Sequence, residues 1–107
     1  MRYTLCALVF LVIGCNYGKD DAVDAMQSQV DQLRLALKEH PASPLLEYKM
    51  GRLFAEHGLM DSARAAFERS LALREAFPEA HLQMAQIYFS EGNLNKSARS
   101  YEQVVRF

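Results

Sequence analysis

The sequence has little of several residues on which common protein classes depend. It contains no tryptophan, only five glycines and three prolines among 107 residues, and two cysteines, Cys6 and Cys15, near its start. So few glycines and prolines exclude a collagen-like or low-complexity chain. Because no cysteine follows residue 15, the rest of the chain has neither a disulfide framework nor a cysteine-ligated metal site.

An excess of either charge is also lacking. Twelve basic residues face thirteen acidic ones, and the formal net charge is −1. Proteins that bind nucleic acid usually carry a basic patch and a high isoelectric point, so we expect no nucleic-acid partner. Half of the residues are apolar, which is enough for a packed core rather than a disordered chain.

No apolar run is long enough to cross a membrane. The longest apolar run, Leu5–Ile13, has nine uncharged residues and follows Arg2, whereas a spanning helix needs about 20. A short basic start followed by a run of this length is typical of a secretory signal peptide. We therefore expect residues 1–14 to be removed.

The end of that run, Val12-Ile13-Gly14-Cys15, resembles the lipobox of bacterial lipoproteins. The resemblance implies that Cys15 is lipidated and that residues 15–21 form a tether. Since two or more acyl chains anchor a protein stably, it also implies a place at a membrane surface of the cell envelope. Asn16, where aspartate would favour the inner membrane, implies the outer membrane facing the periplasm in a diderm. The alternative is an ordinary secretory signal that contains a cysteine.

The remaining chain repeats itself at a shift of 34 residues, with no gap. Pro44 meets Pro78, Gly58 meets Gly92, and the other agreements follow the same offset: Met50 with Met84, Leu53 with Ile87, Phe54 with Tyr88, Asp61 with Asn95, Ala63 with Ser97, Phe67 with Tyr101, and Leu71 with Val105. Internal repeats of this length are typical of stacked helical units.

Each unit predicts two antiparallel helices. Ser43 and Pro44 suit the cap and first position of a helix, and Gly58 suits the turn that ends it. We expect Asp61 and Asn95 to cap the second helices, and residues 74–77 to lengthen the helix that precedes Pro78. Helical spacing of apolar residues also predicts a helix over about 20–39.

The period and its small and aromatic positions resemble the tetratricopeptide repeat. The residues that carry the resemblance are Gly51 and Ala85, Phe54 and Tyr88, Gly58 and Gly92, Ala63 and Ser97, and Phe67 and Tyr101. The usual tryptophan is Glu47 in one unit and His81 in the other. The family implies an all-α fold of helical hairpins, a fragment of an α-solenoid with about five helices: a degenerate capping helix within 22–43, then units 44–77 and 78–107.

Catalytic chemistry finds no support in the sequence. His40, His57 and His81 stand apart from one another, and no histidine pair has the spacing of a zinc site. There is no glycine-rich phosphate loop. We expect no enzyme activity, no metal and no cofactor.

A peptide-binding groove is the better hypothesis, because the first helix of each unit in this family lines the concave face. The outward positions that we single out are Tyr48, Lys49, Arg52, Leu82, Gln86 and Phe89. They mix apolar anchors with hydrogen-bond donors, which suits an extended or helical peptide. The alternative is that they are ordinary surface residues without a dedicated ligand.

The last helix has no polar helix after it to cap the array. We expect apolar side chains there to be partly exposed, namely Tyr101, Val104, Val105 and Phe107. Three explanations stay open: self-association into a homo-oligomer, docking of a partner, and a truncated or tolerated end. The sequence as a whole predicts a membrane-anchored adaptor that binds another protein. The alternatives are a structural, self-associating module and an accessory fragment of a larger protein.

Overall fold

The computed structural model describes residues 23–107, which form five α-helices and no strand. The helices are α1 (23–39), α2 (Pro44–Glu56), α3 (Met60–Leu73), α4 (Pro78–Ser90) and α5 (Leu94–Arg106). The predicted all-α fold of helical hairpins is confirmed. The predicted signal peptide, lipidation site Cys15 and tether lie outside the described residues.

The first helix of each unit begins and ends as its sequence predicts. Pro44 occupies the first turn of α2, and the Ser43 hydroxyl accepts a hydrogen bond from the backbone N–H of Leu46 at 3.3 Å. Gly58 and Gly92 have φ values of 76° and 78° in the turns that follow α2 and α4. Glycine adopts this left-handed conformation without steric cost, which makes a sharp reversal between the paired helices possible.

The predicted caps of the second helices are wrong. The N-cap of α3 is Leu59 and that of α5 is Asn93, two residues before Asp61 and Asn95. The Asn93 side chain accepts from the Lys96 N–H at 3.3 Å, whereas Leu59 has no acceptor. Asp61 instead lies in the first turn of α3, where its negative charge suits the positive end of the helix dipole.

The segment 74–77 does not lengthen α3, contrary to the prediction. The helix ends at Leu73, and Arg74 has an extended backbone conformation. Phe77 turns inward until it is nearly buried, with its ring 5.0 Å from that of Tyr48. Pro78 also disfavours a helical conformation at the residue before it. Burial of Phe77 and the following proline together explain the break.

The core consists of two clusters of buried residues, one after the other along the stack of helices. The first joins α1 to the first hairpin through Val30, Met50, Leu53 and Ala66. The second joins the two hairpins through Ala63, Phe67, Met84 and Ile87. Since α1 contributes Val30 to a shared core, it covers the start of the first hairpin as a capping helix would.

Small residues allow the paired helices to approach closely. A Cβ atom at Gly51 would stand 2.7 Å from Cε1 of the Phe67 ring, so only glycine fits at that crossing. The hydroxyls of two buried serines also donate across the hairpins, Ser70 to the Pro44 carbonyl at 2.8 Å and Ser97 to the Ala85 carbonyl at 2.9 Å. These bonds satisfy polar atoms that burial would otherwise leave unpaired.

Candidate binding groove

An open groove of about 560 Å³ runs between α1 and α2. This volume lies in the range of protein ligand sites, about 300–1,000 Å³. Its lining residues are Gln29, Gln32, Leu33, Leu45, Tyr48, Lys49, Arg52, Leu53 and Glu56. The groove therefore combines an apolar floor with amide and charged side chains along its edges.

Tyr48 is positioned in the groove by two aromatic neighbours. Its ring lies 5.7 Å from that of Phe67 and 5.0 Å from that of Phe77, and both pairs are tilted by about 50°. Tilted contacts at these distances are favourable for aromatic rings. Tyr48 is thus held by Phe67 of the second core cluster and by Phe77, and it also lines the groove.

The basic side chains of the groove remain accessible. The Arg52 guanidinium lies 3.8 Å from the Glu56 carboxylate, and both side chains are more than half exposed. An exposed pair of this kind contributes about 0–1 kcal/mol to stability. Arg52 can therefore exchange Glu56 for a ligand carboxylate at little cost, and Lys49 stands one turn earlier on the same helix.

The structure brings together only some of the residues that we singled out. Tyr48, Lys49 and Arg52 share the groove. Leu82, Gln86 and Phe89 lie on α4 and do not line it, and Phe89 is 63% exposed. The structure thus gives the first unit a groove beside α1, and the candidates of the second unit lie outside it.

Sequence reasoning missed the side of the groove that α1 provides. Gln29, Gln32 and Leu33 line it, whereas the sequence predicts the groove on the first helix of each unit. The signal available was the spacing of the two glutamines, three residues apart beside the buried Val30. That spacing places both amides on one face of a helix next to its core side.

The candidate residues of the last helix differ in exposure. Tyr101 and Val105 are 42% and 88% exposed, whereas Val104 is half-buried. The Phe107 ring stacks on that of His81 at 5.8 Å. Phe107 is nevertheless 44% exposed, so Val104 is the one residue of these four that is mostly covered.

Among residues 23–107 there is no group of three histidine, cysteine, aspartate or glutamate side chains placed to hold a metal ion. In the same range no helix is long and apolar enough to cross a membrane. Burial, reinforced by the nearby Glu68 carboxylate, raises the pKa of the Tyr88 hydroxyl above its usual value.

Comparison with known proteins supports the repeat. Residues 78–107 match the family model of the tetratricopeptide repeat. The fold is similar to a crystal structure of MamA, with a TM-score of 0.73 and 20% identity over 81% of this chain and 51% of that one. It is also similar to a structure described as MamA MSR-1 C2, with a TM-score of 0.67 and 20% identity over 92% and 55% of the two chains.

These comparisons fix the fold and the repeat. No curated protein matches the sequence. The chain spans about half the length of the solved structures that it matches. The resemblance to the tetratricopeptide repeat is confirmed, and the resemblance to bacterial lipoproteins stays a prediction.

Proposed function

We propose that this protein is a lipid-anchored adaptor of the bacterial cell envelope that binds a peptide segment of a partner protein in the groove between α1 and α2. A helical repeat of this type indicates protein–protein interaction. The single observation that supports the site is the clustering of Tyr48, Lys49 and Arg52 around an apolar floor. No catalytic step belongs to this function.

The groove chemistry indicates what such a peptide would contain. Leu33, Leu45 and Leu53 offer contact to apolar side chains, and Lys49 and Arg52 offer charged donors at the edge. A peptide with one or two apolar anchors and a neighbouring acidic residue would use both features. Hydrogen bonds from charged donors to a carboxylate are also stronger than neutral ones.

The binding proposal is tested by photo-cross-linking from the groove. A photoreactive amino acid at Lys49 should capture a discrete partner in the envelope, and Arg52→Ala should lower that yield about tenfold, since a hot-spot residue contributes more than 1 kcal/mol. The matched control places the same amino acid at Leu35, an exposed apolar residue of α1 outside the groove. Identical products from both positions, or indifference to Arg52→Ala, would overturn the proposal.

The anchor is a separate claim and needs its own experiment. Cells fed an alkyne-bearing fatty acid should label the wild-type protein, and Cys15→Ser should abolish the label and release the protein from the membrane fraction. Cys6→Ser is the control, because Cys6 lies in the segment expected to be removed. Labelling that survives Cys15→Ser would leave the adaptor without its proposed anchor.

A further inference from the structure

A second apolar surface lies on α5, away from the groove. Leu94, Ala98, Tyr101 and Val105 follow one another at steps of four, three and four residues. That spacing places them in one stripe along the helix. Leu94 is 63% exposed and Val105 is 88% exposed, so the stripe, here called the α5 stripe, faces away from its own hairpin.

The same positions in the first unit show what fits such a face. A shift of 34 residues places Tyr101 on Phe67 and Val105 on Leu71. Phe67 is completely buried and Leu71 is half-buried, because α4 packs over them with Met84 and Ile87. In this molecule, therefore, the part of the face that Tyr101 and Val105 repeat is covered by one amphipathic helix. The other two stripe residues, Leu94 and Ala98, correspond to Met60, which is 40% exposed, and to Arg64.

The two units differ at many positions, and three of these differences restrict which helix could pack on the second unit. Ala55 packs against the second core cluster, and its counterpart is Phe89, an exposed ring on α4. Leu71 corresponds to the smaller Val105, and Phe67 to Tyr101, which adds a hydroxyl. A helix that fits would be small opposite Phe89 and would offer an acceptor near Tyr101.

The charges of α5 indicate which charged residues the partner helix would carry beside its apolar face. Lys96, Arg99 and Arg106 make α5 basic, with Glu102 as its one acidic residue, although the whole chain has a net charge of −1. Arg99 and Arg106 each follow a stripe residue directly, so both lie on the same flank of the stripe. Neither forms an ion pair within residues 23–107.

We propose that the α5 stripe and Phe89 form a docking site for an amphipathic helix of a partner protein, with acidic residues beside its apolar face. This helix would pack on the second unit as α4 packs on the first, at the face that no described helix covers. It does not depend on the groove. An adaptor with both sites would join the owner of this helix to the peptide bound between α1 and α2.

The probe for this site is available in the chain itself. A fluorescein-labelled peptide of residues 74–93 contains α4, carries three glutamates and one arginine, and has the apolar pattern that covers the first unit. The purified protein, kept soluble in zwitterionic detergent, is titrated against it by fluorescence anisotropy. We expect saturable binding that Val105→Asp weakens at least tenfold.

Two matched variants sharpen the measurement. Leu35→Asp also places a charge at an exposed apolar position, on α1, and should change the affinity less than twofold. The double variant Phe89→Ala with Val105→Leu makes the face resemble that of the first unit and should bind the peptide about tenfold more tightly. A peptide with glutamine in place of Glu75, Glu79 and Glu91 should bind more weakly, by threefold or more.

The contrary outcomes are distinct. Absence of binding, or binding that Val105→Asp leaves unchanged, overturns the proposal. Sedimentation that shows a dimer of the wild-type chain, dissociated by Val105→Asp, would assign the stripe to a second copy instead. Peptide binding lost through Arg52→Ala but not through Val105→Asp would place the helix in the groove, which would overturn the α5 site and leave the proposed adaptor function standing.

Discussion

The two repeat units share a backbone design, but the same face is closed in one and open in the other. Phe67 of the first unit is completely buried, and its counterpart Tyr101 is 42% exposed. The residues are similar in size, and each follows a small residue at the helix crossing. The difference arises because α4 covers the first unit and no described helix covers the second. Burial in a stacked array is thus set by the neighbouring unit as much as by the residue.

A second contrast concerns the position where the family usually has tryptophan. In the first unit it is Glu47, whose carboxylate accepts from Arg69 at 3.0 Å while only 12% of its side chain is exposed. In the second unit it is His81, which stacks on Phe107 and makes a 2.8 Å hydrogen bond with the Glu75 carbonyl oxygen. The first unit thus fills this position with a side chain that is ion-paired within the hairpin. The second fills it with a side chain that stacks on another ring and hydrogen-bonds to the preceding loop.

The largest expected effect comes from removing the two aromatic rings in turn. Phe67→Ala should lower the free energy of unfolding by about 3–5 kcal/mol, because it leaves a cavity in a fully buried site. Tyr101→Ala should lower it by less than about 1 kcal/mol, because that ring stands partly in solvent. Urea unfolding followed by circular dichroism at 222 nm measures both.

Equal losses would break the comparison. They would mean that the ring of Tyr101 is covered in solution. Sedimentation would then show whether a second copy of the chain covers it. Phe67→Leu keeps most of the buried volume and serves as the control, with a smaller loss than Phe67→Ala.

The next effect tests the close approach of the helices. Gly51→Ala should destabilise the fold by about 1–3 kcal/mol, since its Cβ would overlap the Phe67 ring and overpacking outweighs the gain in helix propensity. The counterpart change, Ala85→Gly, should destabilise by about 1–2 kcal/mol, through lower helix propensity and the loss of a fully buried methyl group. Thermal unfolding of both variants checks the two values.

A double variant tests whether the contact with Phe67 causes the loss of stability in Gly51→Ala. Gly51→Ala combined with Phe67→Leu should be less harmful than the sum of the single changes, because the smaller side chain leaves room for the new methyl group. Strict additivity would show that the contact with Phe67 is not what requires glycine at this position.

The sequence predicts local features of this fold well, because they depend on neighbouring residues. The 34-residue period, the Ser43 cap, and the turns at Gly58 and Gly92 are all local and all present. The loop at 74–77 was missed because burial of Phe77 against Tyr48 overrides helix propensity, and the two residues are far apart in sequence. The sequence predicts the α2 side of the groove, because α2 carries the repeat pattern. It does not predict the α1 side, because that side depends on how α1 packs against α2.

The smallest effect concerns one hydroxyl group, since Phe54 of the first unit corresponds to Tyr88 of the second. Burial and then Glu68 raise the pKa of Tyr88 above its usual value of 10.0. In the unfolded chain this hydroxyl loses its proton at lower pH than in the fold. Its contribution to stability is therefore complete below about pH 10 and is lost as the pH rises through the folded value.

Tyr88→Phe tests this directly, because it makes the two units alike at that position. Up to about pH 10 the difference in unfolding free energy between wild type and variant should be constant, and at higher pH it should move in favour of the variant. Ultraviolet titration of Tyr88 provides the independent measurement, and Glu68→Gln should lower its midpoint by removing a negative charge that disfavours the phenolate. If wild type and Tyr88→Phe lose stability in parallel above pH 10, the hydroxyl is hydrated in the fold as it is in the unfolded chain. The hydroxyl group by which Tyr88 differs from Phe54 would then make no pH-dependent contribution to stability.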